Sequence, residues 1–177
     1  DGPNHLHGGL VGFDRRVWKA EPFVAPGLAG LRLDLESPDG DEGYPGQVRV
    51  QAIYTINQAG DLEMVFEART DAPTVLGLTQ HAYFNLQGDG KGDILDHELM
   101  LAASRYLPVD SGMIPSGVLA PVAGGPFDFR KPKALGRDMA AAGDYDHCFV
   151  IDRASGEEGL FVEFADLREP QSGRRLR

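Results

Sequence analysis

Leu31–Ser37, LRLDLES, sets Leu31, Leu33 and Leu35 against Arg32, Asp34 and Glu36. Successive side chains of a strand point to opposite faces, so this alternation predicts a strand with one buried face. QVRVQAIYTIN (47–57) repeats the pattern, with Val48, Val50, Ala52, Tyr54 and Ile56 on the apolar side. LEMVFEART (62–70) alternates again, and the short turn NQAGD between these two runs predicts an antiparallel hairpin. PDGDEGYPG (38–46) is dense in Gly, Pro and Asp and reads as a loop. Further strands are expected in DHELMLAA (96–103), DHCFVID (146–152) and GLFVEFADLRE (159–169). Only the patch near 132–142, within KPKALGRDMAAA, has a helical look, enough for a turn or two. Many short strands separated by turn signals predict an all-β sandwich or barrel, organised as a single domain over 1–177.

LTQHAYFNLQG (78–88) is the most unusual of the strand-like runs. As a strand it puts Leu78, Ala82, Phe84 and Leu86 on a core face, spoiled by Gln80. Thr79, His81, Tyr83 and Asn85 then share the other face, which carries no Lys or Glu. An aromatic, hydrogen-bonding face without charge suits a cleft that grips a ligand rich in hydroxyls; an ordinary wet strand face with a chance histidine is the plainer alternative. The QGDGKGD that follows has glycines at alternate positions. It lacks the closing G-K-S/T of a phosphate loop, and no helix pattern comes after it, so it reads as a flexible loop.

Composition narrows the field of functions. The chain has 177 residues, 42% hydrophobic and 25% charged, with a formal net charge of −10. An acidic chain without a basic stripe argues against nucleic acid and anionic membrane as partners. The basic SGRRLR at the C-terminal end is too short to change that, and no apolar run is long enough to span a bilayer. The one cysteine, Cys148, forms no internal disulfide, which points to a reducing compartment such as the cytoplasm. The chain opens on the motif-like DGPNHLHGG and closes on GRRLR without an evident terminal element, so both ends look cut from something longer.

Three places could carry chemistry. In NHLHGG (4–9), His5 and His7 stand at a metal-ligand spacing. A metal would need a further ligand, with His81, His97, His147 or a carboxylate as candidates. Gly8 and Gly9 allow a sharp turn or a close approach to a ligand. The "HGG" is also found in esterase oxyanion loops, but no G-x-S-x-G accompanies it. The second place is His81 with Tyr83 and Asn85, since imidazole can give or take a proton near neutral pH. The third is GDYDHCFVID, where Asp146 begins an apolar strand and could accept hydrogen bonds from two sugar hydroxyls. A strand-end cap or surface ion pair is the alternative for Asp146. His147 points to the opposite face of a regular strand and is expected to be structural.

NHLHGGLVGFDRRVW, LTQHAYFNLQG and YDHCFVID, in this order and at these intervals, resemble the aldose 1-epimerase (galactose mutarotase) family. RYLPVDSGMIPSG and GPFDFRKP resemble its linking segments, so the likeness runs over essentially the whole chain. The resemblance implies a galactose-mutarotase-like antiparallel β-sandwich. It implies an isomerase that interconverts the α and β anomers of free hexoses such as galactose and glucose, with a small-molecule hexose as partner and with no cofactor and no metal. By the same resemblance His81 is the general acid that protonates the ring oxygen. His7 is the second active-site histidine, hydrogen-bonding near that oxygen. Asp146 holds sugar hydroxyls, and Tyr83 and Asn85 line the cleft.

The sequence departs from the family pattern at both ends. The family's general base is a glutamate in a later segment without a counterpart here, and an arginine-bearing segment before LHGG is likewise missing. Glu157, Glu158, Glu163 and Glu169 sit in no matching context, so none is assigned as base. The expectation is a partial mutarotase domain, truncated at both ends. A non-catalytic sugar-binding module of the same fold is the alternative, and a cupin-like metalloenzyme using His5 and His7 is a third reading.

Overall fold

A computed structural model describes residues 2–153 and 161–177. The chain divides into two compact units, Asp1–His81 and Ala82–Arg177.

The first unit begins with a glycine-rich loop and a 3-10 turn at Phe13–Arg15. Four strands follow: β1 (Lys19–Ala25), β2 (Leu28–Ser37), β3 (Val48–Asn57) and β4 (Leu62–Thr70). They lie in the order β1-β2-β3-β4 as an antiparallel meander. The register shows why this pairing is chosen over its neighbours. Leu33 stands opposite Ala52, which faces Phe66, and Leu35 stands opposite Val50, which faces Ala68. A slip of one residue would turn each of these rows to the polar side. The polar rows pair as well: Gln51 donates to Asp34 at 2.8 Å and Arg49 to Glu36 at 3.2 Å. Central β3 carries the buried Val48, Val50 and Ala52.

The predicted hairpin is β3–β4. Its turn is closed by the Asn57 carboxamide, whose oxygen accepts from the Ala59 and Asp61 amides at 2.9 and 3.0 Å. Strand β1 was not visible in the alternation because Pro22 interrupts KAEPFVA. Proline cannot donate to a ladder, yet β1 is an edge strand, where that loss is tolerated.

The second unit holds β5 (Glu98–Leu101), β6 (Ala103–Leu107), β7 (Ala120–Pro121), β8 (Lys133–Ala134), α1 (Met139–Ala142), β9 (Cys148–Ile151), β10 (Ala165–Arg168) and β11 (Arg175–Leu176). They form two small antiparallel sheets, β11-β10-β5-β8 and β7-β6-β9. The expected single strand at 96–103 is two strands, because the chain changes sheets at Ala102. There the amide of Ala102 donates to Phe164 and its carbonyl accepts from Asp152. The core gathers Leu101, Ala103 and Phe129, with Tyr145 and Phe149 packed against them. Lys133 is buried beside it. Its ammonium donates to Pro126 O at 2.7 Å and to Asp138 at 2.9 Å, and sits 4.1 Å from the centre of the Phe129 ring.

Three sequence expectations need correction. Residues 78–85 form no strand, and no described strand pairs with them. Alternation reports which way side chains would face, but a strand exists only where a partner ladder takes up its backbone groups. The strand expected over 159–169 is confined to Ala165–Arg168, since its partner β5 offers only Glu98–Leu101; residues 159 and 160 lie outside the described residues. The C-terminal GRRLR is a structural element after all: Arg175 and Leu176 form β11 against β10, and the Arg175 side chain pairs with Asp166. The helical look of 132–142 resolves into a 3-10 turn at Leu135–Arg137 and the single turn of α1. No described helix is long and apolar enough to cross a membrane.

Candidate active site

His7 lies in a tight loop that the glycines make possible. Its own φ is +53°, and Gly8 and Gly9 follow at +82° and +110°, all in the left-handed region. The Gly9 amide closes the turn on Leu6 O at 3.0 Å. Only glycine fits at position 9, since a Cβ there would stand 2.1 Å from a Glu42 oxygen and 2.7 Å from His5 Nε2. The loop is held from outside by the DGDEG turn. The Glu42 carboxylate accepts from the Leu10 amide at 2.9 Å and the Val11 amide at 3.1 Å. Arg16 ties the same parts together, donating to Val11 O at 3.1 Å and to Asp41 at 2.5 Å. Asp41 is itself fixed by the Ser37 hydroxyl at 2.7 Å.

The imidazoles of His7 and His81 meet edge to face, with centroids 5.5 Å apart and planes at 81°. Both residues are exposed, so a ligand can reach them. His5 turns elsewhere, its ring lying 5.1 Å from that of Tyr44. The H-x-H spacing therefore does not put two imidazoles at one point: the residue that joins His7 is His81, 74 positions away by subtraction of their numbers. Among the described residues no group of three or more His, Cys, Asp or Glu side chains could hold a metal ion.

The remaining candidates belong to the second unit. Tyr83 is 89% exposed. Asn85 is half-buried and its side chain organises the following loop: the amide group donates to Lys91 O at 2.9 Å, and its oxygen accepts from the Gln87 amide at 3.0 Å. The expected strand row of His81, Tyr83 and Asn85 is thus not formed, and Asn85 spends its carboxamide on the loop. That loop has further anchors. His97, fully buried, accepts from the Leu86 amide on Nε2 at 3.0 Å, and Arg174 donates to Leu86 O and Gln87 O at 2.9 and 3.1 Å.

Asp146 is exposed, two residues before β9. Its flanking side chains point inward, as alternation requires. Tyr145 packs against Phe129 with ring centres 5.1 Å apart, and His147 against Phe127 at 4.5 Å. Burial pushes the Tyr145 hydroxyl pKa up. Two aromatic anchors thus flank an exposed carboxylate. Of the glutamates left unassigned, Glu169 is 2% exposed and accepts from the Gln171 and Ser172 amides at 2.9 and 2.6 Å. Hydrogen bonds from Ser172 and then Gln171 hold its pKa down at about 2. Glu163 faces Arg177 at 3.9 Å, while Glu157 and Glu158 lie outside the described residues.

Sequence reading missed Glu42, Asp41 and Arg16 as builders of the His7 loop. The available signal was a pair of adjacent acids in a glycine-rich turn, which by itself looks solvated.

Two facing imidazoles, that of His7 on a glycine-built loop and that of His81 from a distant segment, in an antiparallel β protein are groups that can give and take protons near neutral pH. The aldose 1-epimerase family model matches residues 1–177, and the chain belongs to that family. It is 42% identical to the galactose mutarotase of Mus musculus over 177 residues, 98% of this chain and 49% of that protein. It is 37% identical to the aldose 1-epimerase of Escherichia coli (strain K12) over 162 residues, 88% of this chain and 45% of that protein. The crystal structure of galactose 1-epimerase from Lactobacillus acidophilus NCFM matches with a TM-score of 0.82 at 34% identity, covering 96% of this chain and 49% of that one. The chain spans about half the length of the curated relatives it matches. The all-β expectation and the family resemblance both hold.

Proposed function

We propose that the protein carrying this chain is an aldose 1-epimerase, interconverting the α and β anomers of free hexoses such as galactose and glucose. The observation that carries the reading is the His7–His81 pair, two accessible imidazoles 5.5 Å apart. Ring opening needs a proton taken from the anomeric hydroxyl and a proton given to the ring oxygen as the C1–O5 bond breaks. His81 gives that proton. His7 hydrogen-bonds beside the same oxygen and keeps it in place. The electron pair of the broken bond goes to O5, the O1 pair forms the aldehyde, and rotation about C1–C2 before reclosure yields the other anomer. Asp146 accepts hydrogen bonds from sugar hydroxyls, with Tyr83 and Asn85 along the cleft. The base for the anomeric proton is not assigned to any residue of this chain. The reaction calls for no metal or cofactor, and the exposed single Cys148 is at home in a reducing cytoplasm.

Polarimetry on fresh α-galactose tests this. The protein should speed the approach to the equilibrium rotation, and His81→Asn should slow it by roughly 10²–10⁴-fold, the usual contribution of a general acid. Asparagine keeps a hydrogen bond but delivers no proton, so near-parental turnover in that variant would remove His81 from the mechanism.

A further inference from the structure

We infer that Glu42 is a positioning residue for His7, acting through the glycine loop; this rests on the reading of His7 as an active-site histidine. The loop from Leu6 to Gly12 makes little structure of its own. Its nearby ties are the turn from the Gly9 amide to Leu6 O, the bond from the Arg15 amide to Gly12 O and that from the Arg15 guanidinium to Leu10 O. Three successive residues, His7, Gly8 and Gly9, hold positive φ. The two glycines do so without steric cost, but a non-glycine residue such as His7 persists there only when its surroundings over-determine it. Glu42 supplies that constraint. Both of its carboxylate oxygens are used, one on each of two successive amides. Its Oε2 also sits where a side chain of residue 9 would begin, 2.1 Å from the ideal Cβ position. The carboxylate thus backs the glycine turn on which His7 is carried.

Glu42 itself is held in the left-handed region at φ 51°, ψ 21°. That conformation disfavours a glutamate, so the turn that presents it must be fixed from elsewhere. Asp41 does this, bound by Ser37 on one side and Arg16 on the other. Arg16 also grips Val11 O, so the loop and the turn are locked as one piece. A glutamine at position 42 keeps the shape but replaces one acceptor by an NH2 donor. Two donors then face each other at Leu10 or Val11, and the loop must shift. Catalytic groups tolerate little displacement, since about 1 Å can cost on the order of 100-fold.

The test is Glu42→Gln in the complete protein, followed by mutarotation kinetics, the imidazole ¹⁵N–¹H spectrum and thermal unfolding. The expected result is a kcat lower by roughly 10-fold or more with KM changed less than about 2-fold, together with shifted His7 ring signals. In a His7→Asn background the same substitution should have little further effect, because the two act as one unit. A Glu42 that only stabilises the fold would lower the melting temperature and leave the His7 signals and the kcat of folded protein unchanged; that result overturns the proposal. Should Glu42→Gln not fold, Glu42→Asp, which keeps the charge but shortens the reach, gives the same readouts. If the parent protein shows no mutarotation, the proposed function falls. The His7 ring signals then decide Glu42 alone: moved, they uphold its role, and unmoved, they overturn it.

Discussion

Replacing Phe129 by alanine should be among the most damaging single changes in the second unit. The residue is 1% exposed and lies at the centre of its core. Removing a buried phenylalanine side chain typically costs about 3–5 kcal/mol, the transfer term plus the cavity left behind. The structure allows part of this to be separated. The Phe129 ring meets Tyr145 edge to face at 5.1 Å and carries the Lys133 ammonium 4.1 Å from its centre. Phe129→Leu retains most of the apolar volume and loses both ring contacts. At roughly 0.5–1.5 kcal/mol for the aromatic pair and about 1–2 for a desolvated cation over a ring, it should cost about 2–3 kcal/mol. A double-mutant cycle with Lys133→Met, followed by urea unfolding, isolates the cation contact and should return a coupling of about 1 kcal/mol or more. A cycle energy near zero would show that Lys133 is held by Pro126 O and Asp138 alone. A total loss below about 1.5 kcal/mol for Phe129→Ala would refute the placement of Phe129 at the core centre. Tyr145, which leans on this ring, precedes Asp146, so if Asp146 binds sugar as proposed, Phe129→Leu should also raise KM.

Other outcomes follow from the same geometry. If Asp146 holds sugar hydroxyls as proposed, Asp146→Asn should raise KM by about 10-fold with a smaller change in kcat, since it removes a charged acceptor rather than a proton-transfer group; a pure kcat effect would contradict that role. Gly9→Ala introduces a Cβ against Glu42 and His5 at a φ of +110°, and should lower both stability and turnover; an unaffected variant would mean the loop yields freely. The Glu169 carboxyl is depressed to about 2 from an ordinary 4.5, so its contribution to stability is complete above pH 4.5 and is lost as pH falls toward 2. Glu169→Gln should therefore flatten the acid side of the stability profile between those values, and an unchanged slope there would deny Glu169 that part.

What could be read in advance depended on how local the determining forces were. Strands β2, β3 and β4 were legible because each alternates cleanly, with β3 and β4 joined by a short turn and β2 and β3 by a loop rich in Gly, Pro and Asp. Residues 78–85 alternate as well, yet the pattern cannot say whether a partner strand is there, and none of the described strands is. Pro22 hid β1 because proline usually argues against a strand, and only its edge position reconciles the two. His7 and His81 were legible as candidates from motif resemblance. Glu42 was not, because its meaning arises only when a turn 32 residues along the chain folds back onto the Leu10 amide. The loop bonds of Asn85 were not legible for a related reason: a carboxamide that could serve a ligand is also what a tight loop uses for itself.

The Arg174 clamp sets an order of events during synthesis. Its bonds to Leu86 O and Gln87 O join residues 88 and 87 positions apart. The β1–β4 meander, in contrast, is made of neighbouring hairpins and can form as soon as its last strand leaves the ribosome. The segment around Leu86 has to wait for some ninety further residues before its arginine arrives. Closing so long a loop is slow compared with closing a hairpin. Through that interval the nascent chain carries the β1–β4 meander and, later in sequence, a stretch around Leu86 that lacks its Arg174 anchor. A ribosome pause just before the Arg174 codon would prolong that interval, and protease cleavage near Leu86 in the stalled chain is where it would first be seen.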